Sequence, residues 1–196
     1  MQMGKGVIVD IGTGDGSFVT ELAKQHPDRF VIGIDPHHKN LVQKSAQIYK
    51  KPQKGGLENA LFVVARVEDL PHELDGVANQ VFINFPWSGL LRGVVHVEHG
   101  TWENIKRICA PGAVVDVVFG YDEQHEAGEM EEYELPELSL EYIQKTMAPQ
   151  LDALGFTIQK VKELSLEDLK MYPSSWAKRL AFGQGRIYYY VRLRSA

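Results

Sequence analysis

The chain has 196 residues, with a hydrophobic share of 44% and a charged share of 24%, a composition typical of a folded domain and not of a disordered chain. Its single cysteine, Cys109, excludes an internal disulfide and a cysteine-ligated metal cluster, and no apolar run approaches the roughly 20 residues of a membrane span. We therefore expect one cytoplasmic domain over 1–196, with no membrane contact, no metal and no secretory leader before the first strand.

Charge is unevenly distributed along the chain. The net charge of −5 by itself argues against a nucleic-acid partner. However, residues 36–57 contain five basic residues and no acid, and residues 169–196 contain six basic residues and again no acid. This segregation predicts a basic face on an acidic protein, and a solvated helix with a solvated tail is the alternative.

A turn rich in glycine follows the first predicted strand, Val7–Ile11. Glycine occupies positions 12, 14 and 16, and a helical pattern begins at Ser17, so a ligand can approach the backbone of this turn closely. Dinucleotides normally use the spacing G-x-G-x-x-G, whereas this turn has G-x-G-x-G between Asp10 and Asp15. Two carboxylates repel a pyrophosphate and attract a cation, so the turn favours S-adenosylmethionine, which carries a sulfonium and an ammonium.

The next two predicted strands also lead to acids. The apolar run 30–34 is followed by Asp35, whose two oxygens can accept both hydroxyls of a ribose. The run 61–65 ends at Ala65 and leads to Glu68, where an adenine pocket would lie. Each acid alone is as well explained as a loop residue or a helix cap, but three strand ends beside a glycine turn predict a cofactor site.

Strand runs alternate with helical patterns, which predicts an α/β fold with a mostly parallel sheet covered on both faces. A helix is predicted from residue 36 to about 49, and its inward-facing residues would be Leu41, Val42, Ala46 and Ile48 or Tyr49. Residues 50–56 form a basic loop with Lys50, Lys51 and Lys54.

The second half of the chain continues the alternation. A strand at 80–85 is followed by partly helical residues 92–108, with Trp102 and Ile105 inward, and by a strand at 113–119. Residues 139–154 predict a helix with a kink or restart at Pro149. The last two strands, 156–164 and 187–193, are close enough in sequence to pair antiparallel.

Two tryptophans stand out as candidate stacking groups. Phe85-Pro86-Trp87 ends a central strand, where open α/β sheets bind ligands, so Trp87 is either core filler or a plate for a planar substrate. Trp176 lies in a long loop with Lys178, Arg179 and Arg186, a combination suited to a flipped base and its phosphates. A lid packed by its own aromatic residues is the alternative for this loop.

The segment 121–137 contains eight acids and no lysine or arginine. This composition predicts a solvated loop or short helix facing away from any polyanion.

Taken together, these motifs resemble the aminoglycoside-resistance 16S rRNA methyltransferases that modify N1 of the decoding-site adenine, the kanamycin–apramycin resistance group. The resemblance extends over nearly the full length, and its last two motifs are the specific ones. The matching stretches are 10–16, 32–36, 50–57, Phe85-Pro86-Trp87 and Ser175-Trp176-Ala177-Lys178-Arg179-Leu180-Ala181-Phe182-Gly183.

The resemblance implies a class I methyltransferase fold with a Rossmann-like, seven-stranded sheet and an antiparallel C-terminal strand. It also implies that the protein acts on the 30S subunit and confers resistance, and we expect the protein to be monomeric. Trp87 and Trp176 would sandwich the adenine. The implied cofactor-binding residues are Asp10, Gly12, Thr13, Gly14, Asp35, Pro36, Ala65, Glu68 and Phe85, and the implied RNA-binding residues are Lys50, Lys51, Lys54, Lys178, Arg179 and Arg186.

This chain departs from the family pattern at several positions, and three other functions remain open. Gln184 and Tyr133 stand where some members have arginine, and Glu131 and Glu132 where some have lysine, changes that concern RNA affinity. The leading hairpin of the family also has no room before Val7. The alternatives are a tRNA (guanine-N7) methyltransferase, a catalytically silent cofactor-binding paralogue, and a small-molecule methyltransferase, which would leave the two acid-free basic segments unexplained.

Overall fold

The computed structural model describes residues 6–171 and 186–196. The strands in this part of the chain are β1 (Val7–Ile11), β2 (Phe30–Ile34), β3 (Ala60–Val63), β4 (Ala78–Asn84), β5 (Cys109–Phe119), β6 (Phe156–Leu164) and β7 (Tyr188–Ser195). They form one seven-stranded sheet in the order β3-β2-β1-β4-β5-β7-β6. Strands β1 to β5 run parallel, and β7 is antiparallel to both β5 and β6.

Helices connect these strands and cover the sheet. They are α1 (Ser17–Gln25), α2 (His38–Ile48), α3 (Ser88–Val95), α4 (His99–Ile108), α5 (Glu123–Glu132), α6 (Leu140–Tyr142), α7 (Ala148–Ala153) and α8 (Leu166–Met171). A π-helical turn, Ile143–Met147, joins α6 to α7. None of the helices in the described residues has the length and apolarity that crossing a bilayer requires.

Alternation along the strands divides the interior into two cores. Ile8 and Val31 point to one face, where they pack with Phe18 and Val19 of α1. The larger core lies on the opposite face under α3, α4 and α7, and there Trp102 meets Phe156 edge to face at 5.3 Å. Because both faces are covered, the parallel strands are apolar almost throughout.

The predicted alternation of strands and helices is confirmed, including the antiparallel pairing of the last two strands. Residues 92–108 are helical in part, as expected, because the chain breaks between α3 and α4 at Val97, whose φ is +52°. Of the kink or restart expected at Pro149, the structure shows a restart. Pro149 occupies the first turn of α7, directly after the π-helical turn.

The predicted inward face of α2 is partly wrong. Leu41 and Ile48 are buried, but Val42 and Tyr49 are 57% and 76% exposed and Ala46 is also exposed. The reason is the position of the helix, because α2 leads into β3, the strand at the edge of the sheet. A helix at the edge has sheet beneath only one narrow stripe of its surface, so a second apolar stripe stays in solvent.

Candidate active site

A cleft of about 740 Å³ opens at the carboxyl ends of the central strands. It is formed by the turn after β1, the segments after β2 and β3, and the turn after β4. Ligands of open α/β sheets bind at this edge. The cleft is lined by all the residues predicted to bind the cofactor: Asp10, Gly12, Thr13, Gly14, Asp35, Pro36, Ala65, Glu68 and Phe85.

The glycine turn is held by hydrogen bonds to β2 and requires glycine in two places. Gly12 and Gly14 have φ values of +74° and +58°, a region that residues with a side chain rarely adopt. The Gly12 amide donates to the Ile34 carbonyl at 2.8 Å, and the Gly14 amide donates to Asp35 Oδ2 at 2.9 Å. Among the described residues, no atom lies within 4 Å of where a Cβ of Gly14 would stand, so the backbone there faces open cleft.

Two buried carboxylates form the acidic part of this cleft. Asp35 accepts from the Gly14 amide with one oxygen and from the His37 amide at 2.8 Å with the other, which fixes its orientation. Burial raises the pKa of Asp10 to about 7, while hydrogen bonding by Thr13 and Asn84 opposes the rise and the nearby Asp35 charge adds to it. The exposed His37 ring lies near Asp35, with Nδ1 3.6 Å from Oδ1, but within the described residues no lysine or arginine pairs with either acid. A cationic ligand would therefore supply compensating charge.

Glu68 and Ala65 also line the cleft. Glu68 lies in a 3-10 turn, Val67–Asp69, that follows β3 and leaves its side chain exposed. The Asn104 amide group donates to the Glu68 carbonyl at 3.2 Å and ties this turn to α4. The wall is therefore positioned by the larger core, while the carboxylate stays available to a ligand.

The turn after β4 presents an indole at the mouth of the cleft. Phe85 and Ser88 have φ values of +51° and +54°, which is strained for residues with side chains and is typical of functional turns. The Phe85 amide donates to the Val118 carbonyl at 2.7 Å, and the Ser88 hydroxyl lies 2.9 Å from the Tyr133 hydroxyl. Trp87 between them is 56% exposed and lines the cleft, so it does not act as core filler.

An ion pair that the residue patterns did not predict closes one side of the cleft. Arg186 Nη2 lies 2.5 Å from Glu126 Oε1, and the Asp122 amide donates to Glu126 Oε2 at 3.1 Å. Glu126 is only 4% exposed, so the expectation that residues 121–137 are wholly solvated is wrong at this position. The backbone of α5 is non-helical at Glu126, which turns this one acid inward while its neighbours face solvent.

Asp122, His125 and Glu126 have ligand atoms within 4.8 Å of one another, close enough in principle for a metal ion. Other interactions account for this grouping. Asp122 caps α5 by accepting from the His125 amide at 3.0 Å and lies 2.7 Å from His125 Nδ1. Glu126 is already paired with Arg186.

The predicted RNA-binding residues occupy different parts of the chain. Arg186 is at the edge of the cleft, whereas Lys50, Lys51 and Lys54 are exposed in the loop after α2 and do not line it. Trp176, Lys178 and Arg179 lie outside the described residues, so the proposed sandwich and these two contacts stay predictions.

Several residues that line the cleft were missed from the sequence. Asn84 at the end of β4 contacts Asp10 at 3.2 Å, and Tyr188 contacts Phe85 edge to face at 5.6 Å. A polar residue ending a buried strand was a usable signal for Asn84. Tyr188 carried no such signal, because it lies in an aromatic run whose facing depends on the sheet register.

Comparison with known proteins identifies the family. The model described as NpmA: 16S rRNA (adenine(1408)-N(1))-methyltransferase matches residues 1–194. A 16S rRNA (adenine(1408)-N(1))-methyltransferase of Escherichia coli is 40% identical over 186 residues, which are 94% of this chain and 85% of that protein.

Solved structures agree with this match. A mutant 16S rRNA (adenine(1408)-N(1))-methyltransferase from Catenulisporales acidiphilia with cosubstrate SAM has a TM-score of 0.89 at 31% identity, covering 99% of this chain and 87% of that chain. The antibiotic-resistance methyltransferase Kmr has a TM-score of 0.81 at 33% identity, covering 99% of this chain and 88% of that chain. The chain therefore belongs to the family of 16S rRNA (adenine(1408)-N(1))-methyltransferases.

Proposed function

We propose that this protein transfers a methyl group from S-adenosylmethionine to N1 of the decoding-site adenine of 16S rRNA in the 30S subunit, and so confers aminoglycoside resistance. One observation carries the proposal: buried acids that pair with no lysine or arginine of the described residues and an exposed indole, Trp87, face the same cleft. The first feature suits a sulfonium cofactor, and the second suits a planar base.

The cleft residues fit this cofactor. Asp10 and Asp35 provide negative charge for the sulfonium and ammonium, and Asp35 retains lone pairs for ribose hydroxyls beside the open backbone of Gly14. Glu68 and Ala65 line the wall where an adenine would lie. When bound, the cofactor supplies an electrophilic methyl group on a positively charged sulfur.

The reaction needs no general base, because N1 of adenine has an unprotonated lone pair at neutral pH. The N1–carbon bond forms as the sulfur–carbon bond breaks, and the positive charge moves from sulfur to the methylated base. Trp87 can hold the base in line with the methyl group, and its ring face favours the cation that results. Orientation of this kind contributes roughly 7–11 kcal/mol to catalysis in favourable cases.

Stacking also offsets the cost of extracting the base from its helix. Base–aromatic stacking contributes roughly 1–3 kcal/mol per base, and Trp176 would supply the second ring of the sandwich. Arg186, held by Glu126 at the edge of the cleft, would contact the backbone of the extracted nucleotide. Lys178 and Arg179 are the other predicted contacts to the RNA backbone.

We propose a single domain, because one sheet contains all the strands of the described residues. We also propose that the protein is a monomer. The substrate places it in the cytoplasm, where ribosomes are. Light scattering of the free protein tests the oligomeric state, and limited proteolysis tests for a second folded unit.

Methylation assays test the function directly. We expect tritiated methyl groups from S-adenosylmethionine to enter 30S subunits, primer extension to stop at the decoding-site adenine, and expression in a sensitive bacterium to give survival on kanamycin and apramycin. Labelling of tRNA instead would identify the guanine-N7 alternative. Cofactor binding by calorimetry without methylation of either RNA would identify a silent paralogue, and both results would contradict the proposal.

A further inference from the structure

The turn that carries Trp87 is held from one side by the end of α5. The Ser88 hydroxyl lies 2.9 Å from the Tyr133 hydroxyl, and the Ser88 backbone amide donates a hydrogen bond to the Glu129 carboxylate. Ser88 directly follows Trp87 and begins α3, whereas Glu129 lies in the last turn of α5 and Tyr133 directly follows that helix. Two side chains from one helix end therefore hold the residue next to the indole.

The backbone of this turn needs such support. Phe85 and Ser88 both have positive φ values, a conformation that persists only where surrounding contacts impose it. The hydrogen bond from the Phe85 amide to the Val118 carbonyl does this for Phe85, and the contacts with α5 do it for Ser88. Because Trp87 is more than half exposed, packing restrains its ring little, and the direction of the ring depends on the backbone that carries it.

Tyr133 is itself fixed by contacts that do not involve Ser88. Its ring is partly buried against the larger core, and Arg92 Cζ lies 6.0 Å from the ring centroid. Arg92 is held in turn by Glu98, with Nε 2.8 Å from Oε1. His96 Nε2 lies 3.0 Å from the Tyr133 carbonyl oxygen. Tyr133 can therefore serve as a fixed point to which the turn is attached.

We infer that Tyr133 is a positioning residue for methyl transfer, whose hydroxyl fixes Ser88 and, through Ser88, the direction of the Trp87 ring in the cleft. The inference rests on the proposed function, to which it adds the group that orients the stacking ring. Some family members have arginine at this position, whereas the tyrosine here makes its contacts within the protein.

A residue that acts in this way changes kcat more than KM. The substrate still docks on the rest of the surface when the hydroxyl is lost, but a smaller fraction of the bound complexes holds the base in line with the methyl group. A residue that contacted the RNA directly would have the opposite signature, a raised KM.

Removal of the hydroxyl alone tests the inference. Tyr133→Phe keeps the ring and its contact with Arg92, and kcat for 30S methylation should fall roughly 3- to 10-fold, the factor for one net hydrogen bond. KM for 30S subunits and the dissociation constant of the cofactor should stay within about 2-fold of the parent values. An unchanged kcat would overturn the inference, and so would a raised KM with unchanged kcat, which would place Tyr133 on the RNA.

Tyr142→Phe is the matched control. The Tyr142 hydroxyl donates to the carbonyl of Val95 at 3.1 Å, so it also ties a tyrosine to α3, but at the end away from Trp87. Because this hydrogen bond is the less exposed of the two, Tyr142→Phe should lower Tm at least as much as Tyr133→Phe while leaving kcat unchanged. Equal losses of kcat in the two variants would mean that any loosening of α3 slows the reaction, and would overturn the inference.

A double-mutant cycle tests the route through Ser88. Ser88→Ala removes the other partner of the same hydrogen bond, so it should lower kcat by a similar factor. The variant with both changes should be no slower than either single variant, because the interaction is already lost. Losses that multiply would show that Tyr133 acts by another route and would overturn the inference.

Fluorine NMR of protein labelled with 5-fluorotryptophan separates this inference from the proposed function, because it needs neither RNA nor cofactor. Trp87→Phe assigns the Trp87 resonance by its disappearance. Tyr133→Phe should shift or broaden that resonance and leave the resonance of buried Trp102 in place. A moved Trp87 resonance in a protein that methylates no RNA would overturn the function and keep the positioning contact. Methylation by the parent protein, with an unmoved resonance and unchanged kcat in Tyr133→Phe, would overturn the inference and leave the function intact.

Discussion

Asp10 and Asp116 are two buried acids of one sheet that differ in how their charge is compensated. They lie in the same row, because Asp10 is opposite Phe82 across β1 and β4, and Phe82 is opposite Asp116 across β4 and β5. Asp116 accepts from Arg192 Nε at 2.7 Å, from the Tyr190 hydroxyl at 2.6 Å and from Gln80 Nε2 at 2.8 Å. Asp10 has the Asn84 amide at 3.2 Å and, in the described part of the chain, no cation.

The two acids therefore have different roles: Asp116 stabilises the fold, whereas Asp10 is available to a ligand. A buried carboxylate with a cation and several donors stays ionised at little cost, whereas one without them resists ionisation. The rise in the pKa of Asp10 from 3.8 to about 7 corresponds to roughly 4 kcal/mol against its charged form. A cofactor with positive charge would remove that cost on binding.

The tryptophans show the same contrast in apolar form. Trp102 is buried in the larger core against Phe156, so its apolar surface already contributes to the stability of the fold. Trp87 is more than half exposed at the mouth of the cleft, so its ring faces remain available. In both pairs, the residue with fewer contacts inside the fold lies in the cleft: Asp10 among the acids and Trp87 among the tryptophans.

The largest expected effect comes from removing the two indoles in turn. Trp87→Ala should lower kcat/KM for 30S methylation by at least about 100-fold, because it removes both stacking and alignment of the base. Cofactor affinity should stay within about 2-fold of the parent value, and the free energy of unfolding should stay within about 0.5 kcal/mol of it. Trp102→Ala should instead cost about 3–5 kcal/mol of stability. Methylation assays, calorimetry and urea unfolding give these values.

Trp87→Phe serves as the control for the ring itself and should retain a measurable part of the activity. Full turnover in Trp87→Ala would exclude the indole from substrate binding. A loss of stability similar to that of Trp102→Ala would mean that Trp87 is a core residue after all.

The next effect concerns Asp116. Asp116→Ala leaves Arg192, Tyr190 and Gln80 without their shared acceptor and should reduce the free energy of unfolding by about 2–4 kcal/mol. We place it below the full value for a buried pair because the Arg192 side chain is partly exposed and can turn to water. Calorimetry on the folded variant should give an unchanged cofactor affinity, and a weakened affinity with intact stability would reverse the roles assigned to the two acids.

Asp10→Asn should have the opposite signature. It removes the charge that attracts the sulfonium, so cofactor affinity should fall by about 10- to 100-fold. At pH 8 the variant should be more stable than the parent by about 1–3 kcal/mol, since it no longer ionises a buried carboxyl. Calorimetry and urea unfolding on the same samples measure both, and a destabilised variant with normal affinity would contradict the contrast with Asp116.

Much of this arrangement was predictable from local sequence. The acids at 10, 35 and 68 follow apolar runs, and parallel strands bring their carboxyl ends to one edge, so the cleft follows from periodicity and chain order. Trp87 followed from its position behind Pro86 at the end of a strand. The resemblance to a family added roles for these residues.

The features that the sequence did not predict depend on contacts between distant segments. The cluster at Asp116 needs the register of three strands, and the inward turn of Glu126 needs a local break in α5 and a partner, Arg186, distant in the chain. The exposed stripe of α2 failed because apolar periodicity does not reveal which stripe meets an edge strand. Val42 and Tyr49 have the sequence spacing of core residues, but both side chains are exposed.

The smallest effect, and the finest test of the contrast between the acids, is the dependence on pH. The pKa of Asp10 is raised in the folded protein, so its contribution to stability is fully present below pH 4 and is lost as pH rises through about 7. Cofactor affinity should change in the other direction, because binding favours the ionised form. The dissociation constant of the cofactor should fall by at most about tenfold per pH unit between pH 5 and 7 and then level off.

Calorimetry across this range should show this fall in the dissociation constant in the parent protein and in Asp116→Ala, and a flat profile in Asp10→Asn. An Asp10→Asn profile as steep as that of the parent would assign the proton to another group and leave Asp10 without its proposed role.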